Sequence, residues 1–438
     1  MSNLFKNYDE ALSYLYNLER FGIKLDLSNI TSLMSRMGNP HLKFPSVHIA
    51  GTNGKGSVAA MIHSILCEAG HKTALYTSPH LVDFRERIRI GQELIDKNFI
   101  FDFIQKLKDE IDKNGYTFFE VTTALAFEYF AQKKVDVAVV ETGLGGRLDA
   151  TNVINPLVSI ITNIGLEHTE HLGNTISQIA GEKAGIIKHK VPTITAENQP
   201  EALEVIRSVC AKRCSELILL QKESSYTMLD SSIEESKFNF VSDSVKFENL
   251  QLNLAGEYQV LNACICLTAI HELKQFGWQV GKQAIINGLK QINWRARLEV
   301  FPNLDPVDRK EPLVLLDVAH NPAGMQTLIH TLDQLFPEKK IIFIFGVMED
   351  KDYVSMLKEM SKKAKFVVLT KPDYKRSAEP EALEETLKRT NTPYEVIPLV
   401  KQAYLFALKN AKPNDIICIT GSHFTVGEFL TVASGAYS

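Results

Sequence analysis

One stretch, FPSVHIAGTNGKGSVAAMIHSILCEAG, constrains the chain more than any other. Residues 47–50 form an apolar run. Three glycines follow within residues 51–57, and a helical pattern begins at Ser57 and stops near Gly70. This predicts a strand, a tight turn and a helix in succession. The glycines let the backbone turn and approach a ligand closely. Their amides then line a concavity beside a helix N-terminus, where phosphate is favoured. Lys55 is placed to set its charge on β/γ-phosphates, and the Ser57 hydroxyl to reach Mg²⁺. The spacing is GxxGKGS and not the usual GxxxxGK[ST]. The flanking strand and helix favour phosphate binding over a plain structural turn.

The same strand-then-loop form recurs. TALYTS ends at Ser78, VDVAVVE ends at Glu141 in a glycine-rich turn, and PLVSIITNIG leads to Glu167 and His168. Residues 8–22 and 118–132 have helical periodicity. Asn174 or Thr175 is the expected cap of the helix that holds Glu182 and Lys183. Residues 217–254 change to short alternating pieces, read as a small antiparallel excursion, and residues 256–276 return to helix. Residues 299–312, with three prolines and many charges, are the best linker. Beyond it, LVLLDVAHNP, IIFIFGVM, FVVLTKP, YEVIPLV and DIICITGS alternate with helical stretches. That alternation predicts a parallel sheet with helices on both faces.

Carboxylates and histidines at strand ends stand where ligands bind in such sheets. Glu141 can hold Mg²⁺ directly or through water; its bland reading is a solvated loop acid. His168 is a ligand or a satisfied structural residue. Lys183 sits among small apolar residues, where an ammonium is costly unless paired, with Glu182 or another acid, or covalently changed. Asp317, His320 and Asn321 end a strand of the second half, and Arg297 precedes the linker, from where it can reach phosphates as a cleft closes.

Composition narrows the rest. At 438 residues, 45% apolar and 23% charged, the chain is globular, with two or three domains. A net charge of −4 argues against a dedicated nucleic-acid binder. The start lacks the pattern of a signal peptide, and no apolar run suits a membrane span. Six cysteines without a CxxC pair do not read as a disulfide framework, so the expected compartment is the reducing cytoplasm. Cys210 and Cys214, spaced i, i+4, read as two buried helix cysteines sooner than as metal ligands.

Together HIAGTNGKGSV, YTSPHLVDFRERIRI, ETGLGGRLDATN, GLEHTEHLGNTISQIAGEKAGIIK, LDVAHNP and TGSHFTVGE resemble the Mur-ligase superfamily. They are closest to its folate branch, folylpolyglutamate synthase and dihydrofolate synthase, over nearly the whole chain. The resemblance implies an α/β protein: an N-terminal P-loop-type ATPase domain over residues 1–298, with a parallel sheet and the β excursion, and a C-terminal Rossmann-like glutamate ligase domain over 299–438. It implies an ATP-dependent amide ligase that phosphorylates a pterin carboxylate and lets the amine of L-glutamate displace phosphate. The acceptors would be dihydropteroate and tetrahydrofolate, both used by a bifunctional, monomeric enzyme.

By motif match, Gly51, Thr52, Asn53, Gly54, Lys55, Gly56 and Ser57 would hold the ATP phosphates, with Asn262, Arg297, Asp317 and His320 as further contacts. Ser57, Ser78, Glu141, His168 and a carbamylated Lys183 look like ligands of Mg²⁺, as two ions. Lys55, His168 and Lys183 would be catalytic. Lys24, Leu25, Thr117, Arg147, Leu148 and Asp149 would touch the pterin. Two departures stand out: Glu167 where the family often has Asp, and GSHFTVGE after the last strand. Three alternatives compete: a monofunctional folylpolyglutamate synthase, a cell-wall Mur ligase, and a non-catalytic nucleotide switch. Only 50 residues precede Gly51, too few for the nucleotide-sugar domain of the cell-wall enzymes. A switch needs the phosphate loop but not Glu141, His168 and Lys183 together.

Overall fold

The computed structural model of the chain describes residues 5–22, 24, 26–302 and 312–435. Strands β1 (Ser46–Ala50), β2 (Thr73–Tyr76), β3 (Ile88–Ile90), β4 (Glu93–Leu94), β5 (Val137–Glu141), β6 (Val158–Ile161), β7 (Thr193–Thr195) and β8 (Leu217–Leu219) make one sheet, in the order β4-β3-β2-β5-β1-β6-β7-β8. All pairs are parallel except β2 with β3 and β3 with β4. The apolar runs are continuous because both faces are covered. On β5, Val137 and Val139 pack toward the helices Lys55–Glu68 and Glu257–Gln275, while Ala138 and Val140 pack toward Phe118–Lys133. From β1 the chain passes over β5 to β2 on one side, and β6 lies on the other, so the loop after β1 sits at the switch point of the sheet.

β9 (Ser224–Ser231), β10 (Ser236–Ser242) and β11 (Lys246–Leu252) form the expected antiparallel excursion. The first piece of that region, β8, instead extends the main sheet in parallel. Thr175 is the helix cap and completes a capping box with Gln178.

The second sheet holds β12 (Arg297–Phe301), β13 (Leu313–Asp317), β14 (Ile341–Phe345), β15 (Ala364–Leu369), β16 (Tyr394–Val396) and β17 (Ile416–Thr420), in the order β12-β13-β17-β14-β15-β16. The five strands read from the sequence are all parallel, and β12 adds an antiparallel edge. Of the linker reading, residues 299–301 therefore belong to a sheet strand, and 303–311 lie outside the described residues. Leu328 and Leu332 of the helix Pro322–Leu335 cover one face; Phe429 of His423–Gly435 covers the other.

No disulfide forms among the described residues, and no described helix is long and apolar enough to cross a membrane. Cys210 is buried as expected, but Cys214 is exposed. It terminates its helix at φ 50°, the left-handed conformation of a helix end, which turns it out of the core.

Candidate active site

The phosphate loop is strapped to the end of β6. The Thr52 amide donates to the Asn163 carbonyl at 2.9 Å, and the Asn53 amide to the Asn163 side chain at 2.8 Å. The Thr162 hydroxyl donates to the Asn53 carbonyl at 2.6 Å. Two glycines are required by geometry. A Cβ on Gly51 would lie 1.9 Å from the Thr162 hydroxyl; one on Gly54, at φ 84°, would lie 2.6 Å from the Asn262 carbonyl oxygen. Gly54 begins the helix Lys55–Glu68 without a side-chain cap, so its first amides remain available to an anion. The Lys55 ammonium folds back on the carbonyls of Gly51 and Thr52, at 2.9 and 3.0 Å.

Parallel register brings Glu141 level with Ile49, just before the loop. Its carboxylate is buried and accepts the Ser78 amide at 3.2 Å. Burial raises its pKa, and Lys55 and Arg297 oppose the rise. Lys183 is paired, though not with Glu182, which instead binds Arg147 at 2.7 Å. The Lys183 ammonium, 1% exposed, donates to Glu167 and to the Gly51 carbonyl, both at 2.8 Å. Glu167, the departure from the family's Asp, is therefore the acid that pairs with Lys183. Burial pushes its pKa up, but Lys183 and Lys55 outweigh that and hold it at about 2.

The second lobe closes the site. Arg297 and Asp317 are register partners across β12 and β13. Asp317 is buried and accepts the amides of Leu298 and Ala319 at 3.0 and 2.8 Å. Burial pushes its pKa up to about 6 against the pull of Arg297. The Arg297 guanidinium lies over the Trp294 ring, 5.9 Å from its centroid, and that ring also packs against Gly56. Burial holds the imidazoles of His168 and His320 down to about 4, with Lys351 adding to the effect. The lobes are joined by a reciprocal amide pair: Asn53 donates to Asn321 at 3.2 Å, and Asn321 to Asn53 at 2.9 Å.

All the residues expected to bind phosphate or ions, except Gly51, line one cavity of about 260 Å³ between the lobes. Gly51 contributes only its carbonyl, to Lys55 and Lys183. The expected pterin residues are not on this wall. Lys24 donates to the Gly115 carbonyl, and Thr117 caps the helix Phe118–Lys133. Arg147 is held by Glu182, and Leu148 lies in the turn beside it. The Asp149 carboxylate is occupied by the Leu144 amide and by Thr151. Leu25 lies outside the described residues.

Residues missed by sequence reasoning complete the site. Asn163 and His423 each follow a strand, the signal used for Glu141. Lys351 reaches His168 across the lobes, at 3.1 Å, and no local pattern marks it. Next to Ser78 and Pro79 stands an aromatic cluster: Tyr16 stacks on Phe118, His80 accepts from the buried Arg87 at 2.8 Å, and Phe84 closes the side.

The available donors decide which ions the site fits. Among the described residues no group of three or more His, Cys, Asp or Glu could hold a metal. One buried carboxylate, Glu141, with the hydroxyls of Ser57 and Ser78 beside a triphosphate loop, nevertheless fits Mg²⁺, which takes few protein ligands and completes its shell with phosphates and water. The second-ion residues are arranged differently: His168 faces the Lys351 ammonium, and Lys183 is already paired.

Comparison with known proteins agrees with this architecture. Residues 49–270 match the Mur ligase middle domain and residues 297–423 the Mur ligase glutamate ligase domain. Over 433 residues the chain is 34% identical to a dihydrofolate synthase/folylpolyglutamate synthase of Bacillus subtilis, covering 97% of this chain and 99% of that one. It belongs to the folate branch of the Mur ligases. Family members of known structure share the fold throughout. Escherichia coli FolC in complex with DHPP and ADP superposes with a TM-score of 0.86 at 31% identity, covering 98% of each chain. The folylpolyglutamate synthase of Thermotoga maritima gives 0.82 at 36% identity, with 97% of each chain covered.

Proposed function

We propose that this chain is an ATP-dependent carboxylate–amine ligase that adds L-glutamate to dihydropteroate and to tetrahydrofolate. The single observation that carries the reading is the shared cavity. A phosphate loop with free helix amides, Lys55 and Glu141 faces Arg297, Asp317 and His320 of the other lobe. One edge grips a triphosphate, and the other brings the second reactant.

The chemistry follows from the poor reactivity of a carboxylate. Its oxygen attacks the γ-phosphorus of ATP, ADP leaves, and the acceptor becomes an acyl phosphate. The glutamate nitrogen then bonds to the acyl carbon, the carbon–oxygen bond to phosphate breaks, and a proton leaves the nitrogen. Lys55, released from the loop carbonyls, meets the phosphate charge, and Arg297 supports it from the second lobe. Mg²⁺ held by Ser57, Ser78 and Glu141 would neutralise phosphate charge when bound. The His320 Nδ1 atom is satisfied by the Val318 carbonyl at 2.9 Å, which leaves Nε2 free to accept a proton. Asp317 is suited to the ribose, and Asn262 to the nucleotide beside Gly54. Tyr16 and His80, half-buried beside Ser78 and Pro79 and backed by the buried Phe84, Arg87 and Phe118, offer the aromatic faces that a pterin acceptor needs beyond the cavity. Every group that lines the cavity comes from one chain, so a single copy carries the whole site and a monomer would suffice as the working unit.

Carbamylation of Lys183 would place an anion where the ammonium now meets Glu167 at 2.8 Å. Two anions at that distance repel, so the modification would need a cation between them. The test of function is ADP release by the purified protein. Release should require Mg²⁺, L-glutamate and either dihydropteroate or tetrahydrofolate. ADP release indifferent to both acceptor and glutamate would defeat the ligase reading, and a glutamate adduct on only one acceptor would defeat bifunctionality.

A further inference from the structure

A second cavity, of about 170 Å³, lies between the helices Glu257–Gln275 and Lys282–Lys290 and the start of β11. Leu267 follows Asn262 by five positions on the first of these helices, yet no residue that lines this cavity also lines the nucleotide cavity. Leu267, Ile270, His271 and Lys274 fall on one face of that helix by their i, i+3, i+4, i+7 spacing. Phe247, Leu267, Ile270 and Ile285 make an apolar floor, each no more than 5% exposed. The rim has the opposite character. Lys246, Lys274, Lys282 and His271 line it, and no acidic residue does. Glu248, outside the lining, takes Lys246 into an exposed pair at 2.7 Å. Lys274 and Lys282 are in no ion pair among the described residues, although the carboxylate of Glu248 lies within electrostatic reach of Lys282. The Lys282 ammonium stands 5.8 Å from the centroid of the Phe247 ring, over the floor. Lys282 also opens its helix, which has no side-chain cap, so the positive end of that helix faces the same rim.

An apolar floor under two unpaired ammonium groups is complementary to a molecule with one apolar end and one anionic end. The volume sets the size: a cavity of about 150 Å³ accommodates benzene. We propose that this cavity binds a small aromatic carboxylate, one ring wide, with its ring on Phe247, Leu267, Ile270 and Ile285 and its carboxylate between Lys274 and Lys282. The proposal rests on no part of the ligase reading, and either can fail without the other.

The test is calorimetric titration of the full chain, with the nucleotide cavity saturated by ADP, using benzoate, benzyl alcohol and acetate as probes. Benzoate should bind at one site about tenfold more tightly than benzyl alcohol or acetate. Lys274→Gln with Lys282→Gln, both rim changes that spare the core, should weaken benzoate about tenfold and leave benzyl alcohol unchanged. Ile285→Trp, which fills the floor, should abolish binding of both ring compounds. A crystal soak should place the benzoate ring on Phe247. Absence of benzoate binding, or benzoate binding that neither set of substitutions alters, would overturn the proposal. So would equal affinity for benzoate and acetate, since the site would then read charge alone.

Discussion

Replacing Glu167 by glutamine tests the electrostatic centre of the site. Lys183 is 1% exposed and Glu167 8%, and their charged atoms are 2.8 Å apart. Removing one partner of a buried pair costs about 3–5 kcal/mol, because the remaining charge is left uncompensated. The amide oxygen of the new side chain would still accept a hydrogen bond, and the Gly51 carbonyl remains beside the ammonium, so the expected loss is about 3 kcal/mol, the lower end. Burial depresses the Lys183 pKa and Lys55 adds to the depression, so part of the penalty is two cations facing each other. Urea unfolding in metal-free, bicarbonate-free buffer measures it, followed by the first transition, since two lobes need not unfold as one. Lys183→Met alone strands the carboxylate and should cost a similar amount. The double variant Glu167→Gln, Lys183→Met removes both charges and should recover about 2 kcal/mol relative to the sum of the singles. The pH dependence has a definite sign. The Glu167 pKa is lowered to about 2 in the folded state, so its contribution is complete above its unfolded value of about 4.3 and is lost as pH falls toward 2. The gap between wild type and Glu167→Gln should close over that window. A single variant within about 1 kcal/mol of wild type, or strict additivity in the double, would refute a tightly coupled ammonium–carboxylate pair.

Three further outcomes are expected. Gly54→Ala forces a side chain into φ 84° and to 2.6 Å from the Asn262 side chain. It should cost about 1–2 kcal/mol in stability and raise KM for ATP more than it lowers stability, read by ADP release and thermal melts. Because Asp317 has its pKa raised to about 6 by burial, its ionised form costs folding energy, and that cost falls away as pH drops through 6 toward the unfolded value. With the ionised carboxylate as the proposed acceptor of the ribose hydroxyls, KM for ATP should rise below about pH 6 in wild type and lose that step in Asp317→Asn; an unchanged profile in the variant would assign the step elsewhere. Asn321→Ala breaks both bonds to Asn53. It should lower kcat severalfold through slower closure, and small-angle scattering should show a more open average; an unaltered kcat and envelope would show that the pair does not hold the lobes together.

Much of this was readable from local pattern. The turn at 51–57 announces itself because glycines, a preceding apolar run and a following helix are neighbours in sequence. Glu141 and Asp317 were legible for the same reason, since each ends an apolar run, and His168 because the loop that carries it leaves such a run; parallel sheets collect those ends along one edge. The pterin residues were not resolved in this way. Thr117 and Asp149 carry the polar atoms a ligand would use, but a helix cap and a turn already employ them.

By itself, then, the order of residues determined the alternation of strands and helices, the phosphate loop, and the chemical types gathered at the strand ends, since hydrophobic period and turn chemistry act over a few residues. Only the tertiary structure decided that Glu167, and not Glu182, neutralises Lys183, that Trp294 supports both Arg297 and Gly56, and that Asn53 meets Asn321 across 268 positions. Those choices come from how two sheets stack their ends against each other, and no short-range rule of the chain contains that information.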